Sequence, residues 1–509
     1  MLLCLYYTPG LSFFPQELSA GLDCRQALAY NQIYKSICAV KANTDLYWNQ
    51  GGILIMEDKK KIQLFEQTPV PKAVMTLAVP TILSSLVMVI YNLADTYFVG
   101  MLNNSIQNSA VTLSAPVLLA FNAVYNLFGI GASSMMSRGL GKKNYDTVYR
   151  SSAFGFYSAL TCGILFSVLF TFFHTPMLNI LGADSTTAEA TTQYLKWTVS
   201  FGAAPSILNV VMAYLVRAEG SAFHASIGTM SGCFLNIILD PIFILPWGLN
   251  MGAEGAGLAT FLSNCAACLY FFVLLFVKRG HTYVCIHPKM FCLRKSIVFG
   301  IFSVGIPAAI QNLLNVTGMT VLNNFTSGYG ADAVAAMGIT QKINTVPVNV
   351  ALGLGQGIMP LISYNYASGN TKRMKQTLTF SVKTALLAML AVTVIYYICA
   401  APLTAIFMKN TVIVDYGTRF LRGMCLGIPF LCMDFLAVGV FQACGLGRNA
   451  LAFAILRKII LEIPALYILN SLFPLYGLAY AQLTAEIILA AAAVIVLIRL
   501  FKKLEHRTQ

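Results

Sequence analysis

Long apolar runs recur twelve times along the chain, separated by short polar stretches. They lie near 73–101, 109–137, 149–172, 190–214, 223–246, 256–278, 296–325, 332–362, 376–399, 414–440, 450–471 and 477–500. Each is long enough for a helix of about 20 residues to cross a bilayer. Lipid offers no hydrogen-bond partner to an exposed backbone amide, so a run of this length in a membrane must close its own bonds as a helix. The pattern predicts twelve transmembrane helices.

Composition points the same way. The 509 residues are 57% hydrophobic and only 10% charged, with a mean hydropathy of +0.71. So few charges cannot cover a soluble surface of this size. The net charge of +14 does not indicate nucleic acid, because the basic residues cluster in loops between apolar runs. One set of loops carries Lys59–Lys61, then Arg138, Lys142, Lys143, Arg150 and Arg217. It continues with Lys278, Arg279, Lys289, Arg294 and Lys295, then Lys372, Arg373, Lys375, Arg448, Lys502, Lys503 and Arg507. The alternate loops hold almost nothing basic except Lys409. By the positive-inside rule both termini are expected in the cytoplasm, as an even number of spans also requires. The 13 cysteines form no framework. Cys265 and Cys268 lie inside an apolar run and read as small core residues rather than zinc ligands; Cys285 and Cys292, in a basic loop, read as reduced thiols.

Residues 1–55 fit none of this. They lack the basic start, apolar centre and cleavage site of a signal peptide, and no stretch there is long enough to span. The segment from Met56, "MEDKKKIQLFEQTPVPKAV", reads as a cytoplasmic start. Gly51-Gly52 lie three codons upstream, and two glycine codons can spell a bacterial ribosome-binding sequence. The expectation is that 1–55 is a non-native or disordered extension and that the functional chain starts at Met56.

The remainder repeats. "SRGLGKKN" (137–144) aligns with "SYNYASGN" (363–370) at an offset of 226. Gly129 and Gly131 meet Gly355 and Gly357, and Pro176 meets Pro402, in the same register. Pro80 meets Pro307, Ala218 meets Ala443 and Gly220 meets Gly445 within one residue of it. Six spans per repeat make the copies parallel, related by an axis along the membrane normal. The expected architecture is all-α: two six-helix bundles, residues 56–278 and 296–500, joined by a cytoplasmic linker, 279–295, with a tail at 501–509.

Carboxylates inside the spans carry the candidate chemistry, since an intramembrane acid is functional by default. Asp95 lies in the outer half of the first span. Asn236 and Asp240 lie at a similar depth in the fifth, and their four-residue spacing puts both on one face. Thr260 lies just inside the outer end of the sixth. Four oxygen-bearing side chains at one depth suit a hard cation such as sodium, and two carboxylates can share a proton. The alternative is structural: Asp240 beside the kink at Pro241, and Asp95 paired with a neighbour such as Asn92. The second half differs, with Leu322 opposite Asp95. Its seventh span offers Gln311, Asn312 and Asn315 but no acid. Glu462, Glu486 and Asp434 are candidates for attracting cationic substrates, or for ion pairing with Lys342.

"FEQTPVPKAVMTLAVPTIL", "NIILDPIFI" (236–244), "GAEGAGLATFLSN" (252–264) and "PLISYNYASGN" (360–370) resemble the MATE family of multidrug and toxic compound extrusion transporters, in its MepA-like bacterial branch. The resemblance covers about 60–505. It implies a monomeric cation-coupled antiporter, multi-pass in the plasma membrane, that exchanges sodium or protons for small cationic or lipophilic drugs. It also implies that Asp95, Asn236, Asp240 and Thr260 match the family's amino-lobe cation site.

Gly141-Lys142 is no P-loop, and no H-E-x-x-H or G-x-S-x-G occurs, so neither an ATP-driven pump nor a hydrolase has visible machinery. No organic cofactor is called for, and the protein is not expected to be an enzyme. Two other readings are a lipid-linked precursor flippase, which wants a strongly cationic cavity, and a non-transporting receptor or scaffold, which needs neither repeat nor paired acids. Mass spectrometry of the native protein is expected to find an N-terminal peptide that begins at Met56; a peptide spanning residues 40–60 overturns that expectation.

Overall fold

The computed structural model describes residues 46–48, 54–56, 59–102, 104–408 and 410–508. The chain divides into two units, Met1–Lys60 and Lys61–Gln509. In the first, two three-residue strands, Leu46–Trp48 and Leu54–Met56, pair antiparallel. The rest of the expected extension, 1–45 and 49–53, lies outside the described residues.

All spans belong to the second unit. Nine unbroken helices among the described residues are long and apolar enough to cross a bilayer. They are the first span (Val70–Gly100), second (Ser105–Gly141), third (Tyr145–Leu181), fifth (Ala222–Ile244) and sixth (Ala253–Val277), then the seventh (Lys295–Ser327), eighth (Ala331–Ala367), ninth (Thr371–Ile398) and twelfth (Gly477–Thr508). The fourth (Ala188–Phe201 with Ala203–Ala218) and tenth (Thr411–Cys425 with Ile428–Ala443) are bent pairs, by 50° and 46°. The eleventh runs as Gly447–Ile455, a π-helical stretch Leu456–Glu462, and Ile463–Leu472. It is less apolar than the others because Arg457, Lys458 and Glu462 sit in its middle. Many helices outrun their apolar segments, as the third does (149–172 expected). Helical bonds close in water as well as in lipid, so a helix need not stop where the apolar run stops.

The repeat seen in the sequence is a repeat of turns and breaks. Asn144 caps the third span, accepting from the Thr147 N–H at 3.1 Å, and Asn370 caps the ninth, accepting from the Arg373 N–H at 3.0 Å. Ser137 donates to the Ala218 carbonyl at 2.8 Å, and Ser363 to the Ala443 carbonyl at 3.0 Å. These bonds account for the "SRGLGKKN" and "SYNYASGN" pairing. Helical geometry fails at Phe173 and again at Cys399, 226 residues on, each time just before the short helical segment carrying Pro176 or Pro402. The bends of the fourth and tenth spans fall at Gly202 and at Leu426-Gly427, ahead of Pro205 and Pro429, which lack the N–H an unbroken helix would use.

The six-helix lobes meet along two symmetry-related seams, the first span against the eighth and the second against the seventh. A Cβ on Gly357 would stand 2.7 Å from the Ala78 Cα, and one on Gly131 would stand 2.5 Å from the Ile301 carbonyl oxygen. Only glycine admits these approaches, which accounts for the matched glycines of the two halves. Residues 61–68 strap both lobes at the end where the basic loops gather. Lys61 pairs with Glu219 of the first lobe at 2.7 Å. Phe65 is fully buried and stacks on Tyr364 of the second (4.9 Å between centroids), while Tyr364 donates to Glu66 at 2.6 Å. Arg373 donates to the carbonyls of Phe65 and Thr68. The linker packs on the first lobe: Tyr157 donates to the Ile286 carbonyl, and the Phe154 and Phe291 rings stack. Cys265, Cys268, Cys285 and Cys292 are all free thiols.

The repeat exposes one local mismatch. After the second span Lys143 adopts φ +54°, where the second half has Gly369 at φ +78°. A side chain at a left-handed position costs about 1 kcal/mol. Lys143→Gly is therefore expected to raise, and Gly369→Ala to lower, the stability by up to about 1 kcal/mol, read as opposite shifts of thermal unfolding in detergent.

Candidate functional site

The first and fifth spans end, and the sixth begins, at the end of the first lobe away from the basic loops. There the fold brings Asp95, Asn236, Asp240 and Thr260 together. Asp240 and Asn236 are buried, at 0% and 1% exposure, and Asp95 and Thr260 are partly buried. The Asn236 amide lies 3.4 Å from the Thr260 hydroxyl. Turned to satisfy both neighbours, it donates to Asp240 Oδ2 at 2.8 Å and accepts from the Thr260 N–H at 3.2 Å. Asp95 and Asp240 lie within electrostatic range of each other, and the hydroxyls of Tyr91 and Tyr194 lie within range of both. Among the described residues neither carboxylate has a basic partner. Two acids, an amide and a hydroxyl thus converge in an apolar lobe with no fixed countercharge, which suits a monovalent cation or a shared proton. Sequence reasoning missed the two tyrosines. Tyr91 lies one helical turn before Asp95 and was open to the same spacing argument; Tyr194 comes from the fourth span, which only the fold brings near.

A central cavity of about 380 Å³ lies between the lobes. Nine of its lining side chains are amides, Asn126, Gln311, Asn315, Gln356 and Gln442 among them. Met88, Met359, Tyr125, Tyr214 and Phe435 supply apolar wall, and Arg217 is the one charged lining residue. Gln311 and Asn315 therefore face the cavity, as their candidacy as substrate contacts requires. The four-residue cluster is not in the lining, but it is one turn away. Asn92, three residues before Asp95, and Cys233, three before Asn236, both line the cavity.

The three acids of the second lobe are held in ion pairs, outside the cavity lining. Arg457 Nε lies 2.7 Å from Glu486 and Nη1 3.6 Å from Asp434; Lys458 lies 2.7 Å from Glu462. All five side chains are buried, Glu486 completely. The Arg457 guanidinium also sits over the Phe435 ring at 4.8 Å. The cations are Arg457 and Lys458, not Lys342, which is exposed. The helix begins at Gly447, so Arg457 is about 15 Å along it.

Two parallel-repeated lobes around a shared polar cavity define a polytopic membrane transporter. The sequence profile of the MatE family matches twice, over residues 80–242 and 307–468, one match in each lobe. The multidrug export protein MepA of Staphylococcus aureus strain MRSA252 is 34% identical over 443 residues, covering 87% of this chain and 96% of that protein. MepA of Staphylococcus saprophyticus is 35% identical over 446 residues, with the same coverage. The chain belongs to the MatE family. Among solved structures, an outward-facing multidrug resistance MATE transporter of the MOP superfamily superposes with a TM-score of 0.81 at 25% identity, covering 88% of this chain and 99% of that one. A MOP superfamily transporter from Pyrococcus furiosus, described as having a binding pocket of reverse polarity, superposes at 0.79 and 26%, with the same coverage. These relatives are membrane transporters, not enzymes.

The five buried charges of the second lobe are mutually dependent. Arg457→Met, which strands Glu486 and Asp434, is expected to lower stability by about 3–5 kcal/mol. Adding Glu486→Gln should recover part of that loss, both read from thermal unfolding in detergent.

Proposed function

We propose that the protein is a cation-coupled antiporter of the plasma membrane, exporting small cationic or lipophilic drugs by alternating access, with both termini in the cytoplasm. The observation that carries this reading is the pair of acids without a basic partner among the described residues, Asp95 and Asp240, one turn from a cavity shared by the two lobes. Sodium or a proton entering that cluster removes the mutual repulsion of the carboxylates and lets the first, fifth and sixth spans draw together. Asn92 and Cys233 lie on those same first and fifth spans and line the cavity, so a shift there alters the substrate's surroundings. The name of the staphylococcal relatives, multidrug export protein, supports the drug class. With the basic end in the cytoplasm, the strap of residues 61–68 ties the two lobes together on that side.

A lipid-linked precursor flippase would need several cationic groups to hold a pyrophosphate, and the cavity lining carries one. The test is ethidium efflux from proteoliposomes under an imposed sodium or proton gradient. The wild type is expected to export ethidium on one of the two gradients. Asp95→Asn and Asp240→Asn are each expected to slow gradient-driven export at least tenfold, about 1.4 kcal/mol of coupling, while ethidium still binds. Undiminished efflux in Asp95→Asn removes that residue from coupling. Absence of efflux on either gradient overturns the reading.

A further inference from the structure

Arg217 is the one charged residue lining the central cavity, and no carboxylate among the described residues neutralises it. It is 6% exposed, in the last turn of the fourth span. Its Nη1 donates to Gln356 Oε1 of the opposite lobe at 3.3 Å, its guanidinium lies over the Tyr214 ring at 5.4 Å, and its Nε has no hydrogen-bond partner. Neither an amide oxygen nor a ring face carries a full negative charge. Among the described residues no carboxylate pairs with Arg217, and none lines the cavity. A buried, uncompensated guanidinium is costly unless something supplies the anion.

The internal repeat shows that the fold does not demand this charge. Ala218 corresponds to Ala443 at an offset of 225, so the counterpart of Arg217 is Gln442. Gln442 also lines the cavity, and there an uncharged amide donates to Gln311 at 3.3 Å. A neutral side chain therefore suffices for packing at this position. The cation is an addition to one lobe only, in a cavity whose other polar side chains are uncharged amides and hydroxyls able to donate as well as accept.

We propose that Arg217 is a specificity-determining residue that reads a carboxylate on the transported molecule, so that the cavity prefers zwitterions over otherwise identical cations. A guanidinium presents paired N–H donors that match a carboxylate, and the amides of Gln356 and Gln442 extend that donor set. The volume of about 380 Å³ fits a drug-sized molecule. The proposal rests on the reading that this cavity carries the substrate. An inorganic anion such as chloride shares the chemistry, and salt substitution tells the two apart.

The test compares a rhodamine dye in two forms, the free carboxylic acid (a zwitterion at neutral pH) and its methyl ester (a cation), by fluorescence anisotropy with the purified full-length protein. The wild type is expected to bind the acid about tenfold more tightly than the ester. Arg217→Gln is expected to abolish that preference while leaving ester affinity within about twofold, and Arg217→Lys to keep part of it, because an ammonium lacks the paired donors. Gln356→Glu keeps the arginine and places a carboxylate beside it, so it too should erase the preference; it decides the matter if Arg217→Gln fails to fold. Replacing gluconate with about 0.15 M chloride should leave the preference in place. A wild type without preference, variants that weaken both dyes equally, or a preference that chloride abolishes each overturns the proposal. If ethidium is exported while the dyes bind without discrimination, only this inference fails. If neither dye binds and ethidium is not exported, the reading of the cavity fails with it.

Discussion

A charge placed in the interior of a membrane protein has to be answered by another charge within reach, because neither lipid nor packed helix can solvate it. The molecule meets this constraint in three ways. In the second lobe Arg457 and Lys458 answer Glu486, Asp434 and Glu462 permanently, and the result is structural. In the first lobe Asp95 and Asp240 share an apolar site with no basic partner among the described residues, which leaves the answering charge to a mobile ion in the proposed mechanism. In the cavity Arg217 has the opposite sign and the same lack. The unanswered charges are where function is to be sought.

The duplication makes these differences readable. Both lobes use the same caps, the same breaks at Phe173 and Cys399, and the same bends ahead of Pro205 and Pro429. Onto that shared frame the halves set different side chains: Asp95 against Leu322, Arg217 against Gln442. Because the backbone positions correspond, each pair is an internal control, showing what the fold tolerates at that place when the chemistry is changed.

The seams between the lobes depend on missing side chains. Where Gly357 meets Ala78 and Gly131 meets Ile301, the backbones approach too closely for any Cβ on the glycine. The polar closure is concentrated instead at one end, in Lys61, Phe65, Glu66, Tyr364 and Arg373. A few hydrogen bonds and one stacked ring pair are the kind of contact that a binding event elsewhere can break.

The sequence alone determined the twelve spans, the parallel duplication and the depth at which Asp95, Asn236, Asp240 and Thr260 lie. Each follows from a one-dimensional quantity: apolar length against bilayer thickness, offset between halves, distance from a helix end. It also singled out Gln311 and Asn315, now in the cavity wall. It left open whether Glu462, Glu486 and Asp434 were free or paired, because pairing depends on which helix faces meet. Tyr194 beside the acids, the amide lining of the cavity and the isolation of Arg217 were decided only by tertiary structure. Those features depend on which faces of separate helices meet, and a side chain's charge becomes a binding property only when its neighbours in space are known.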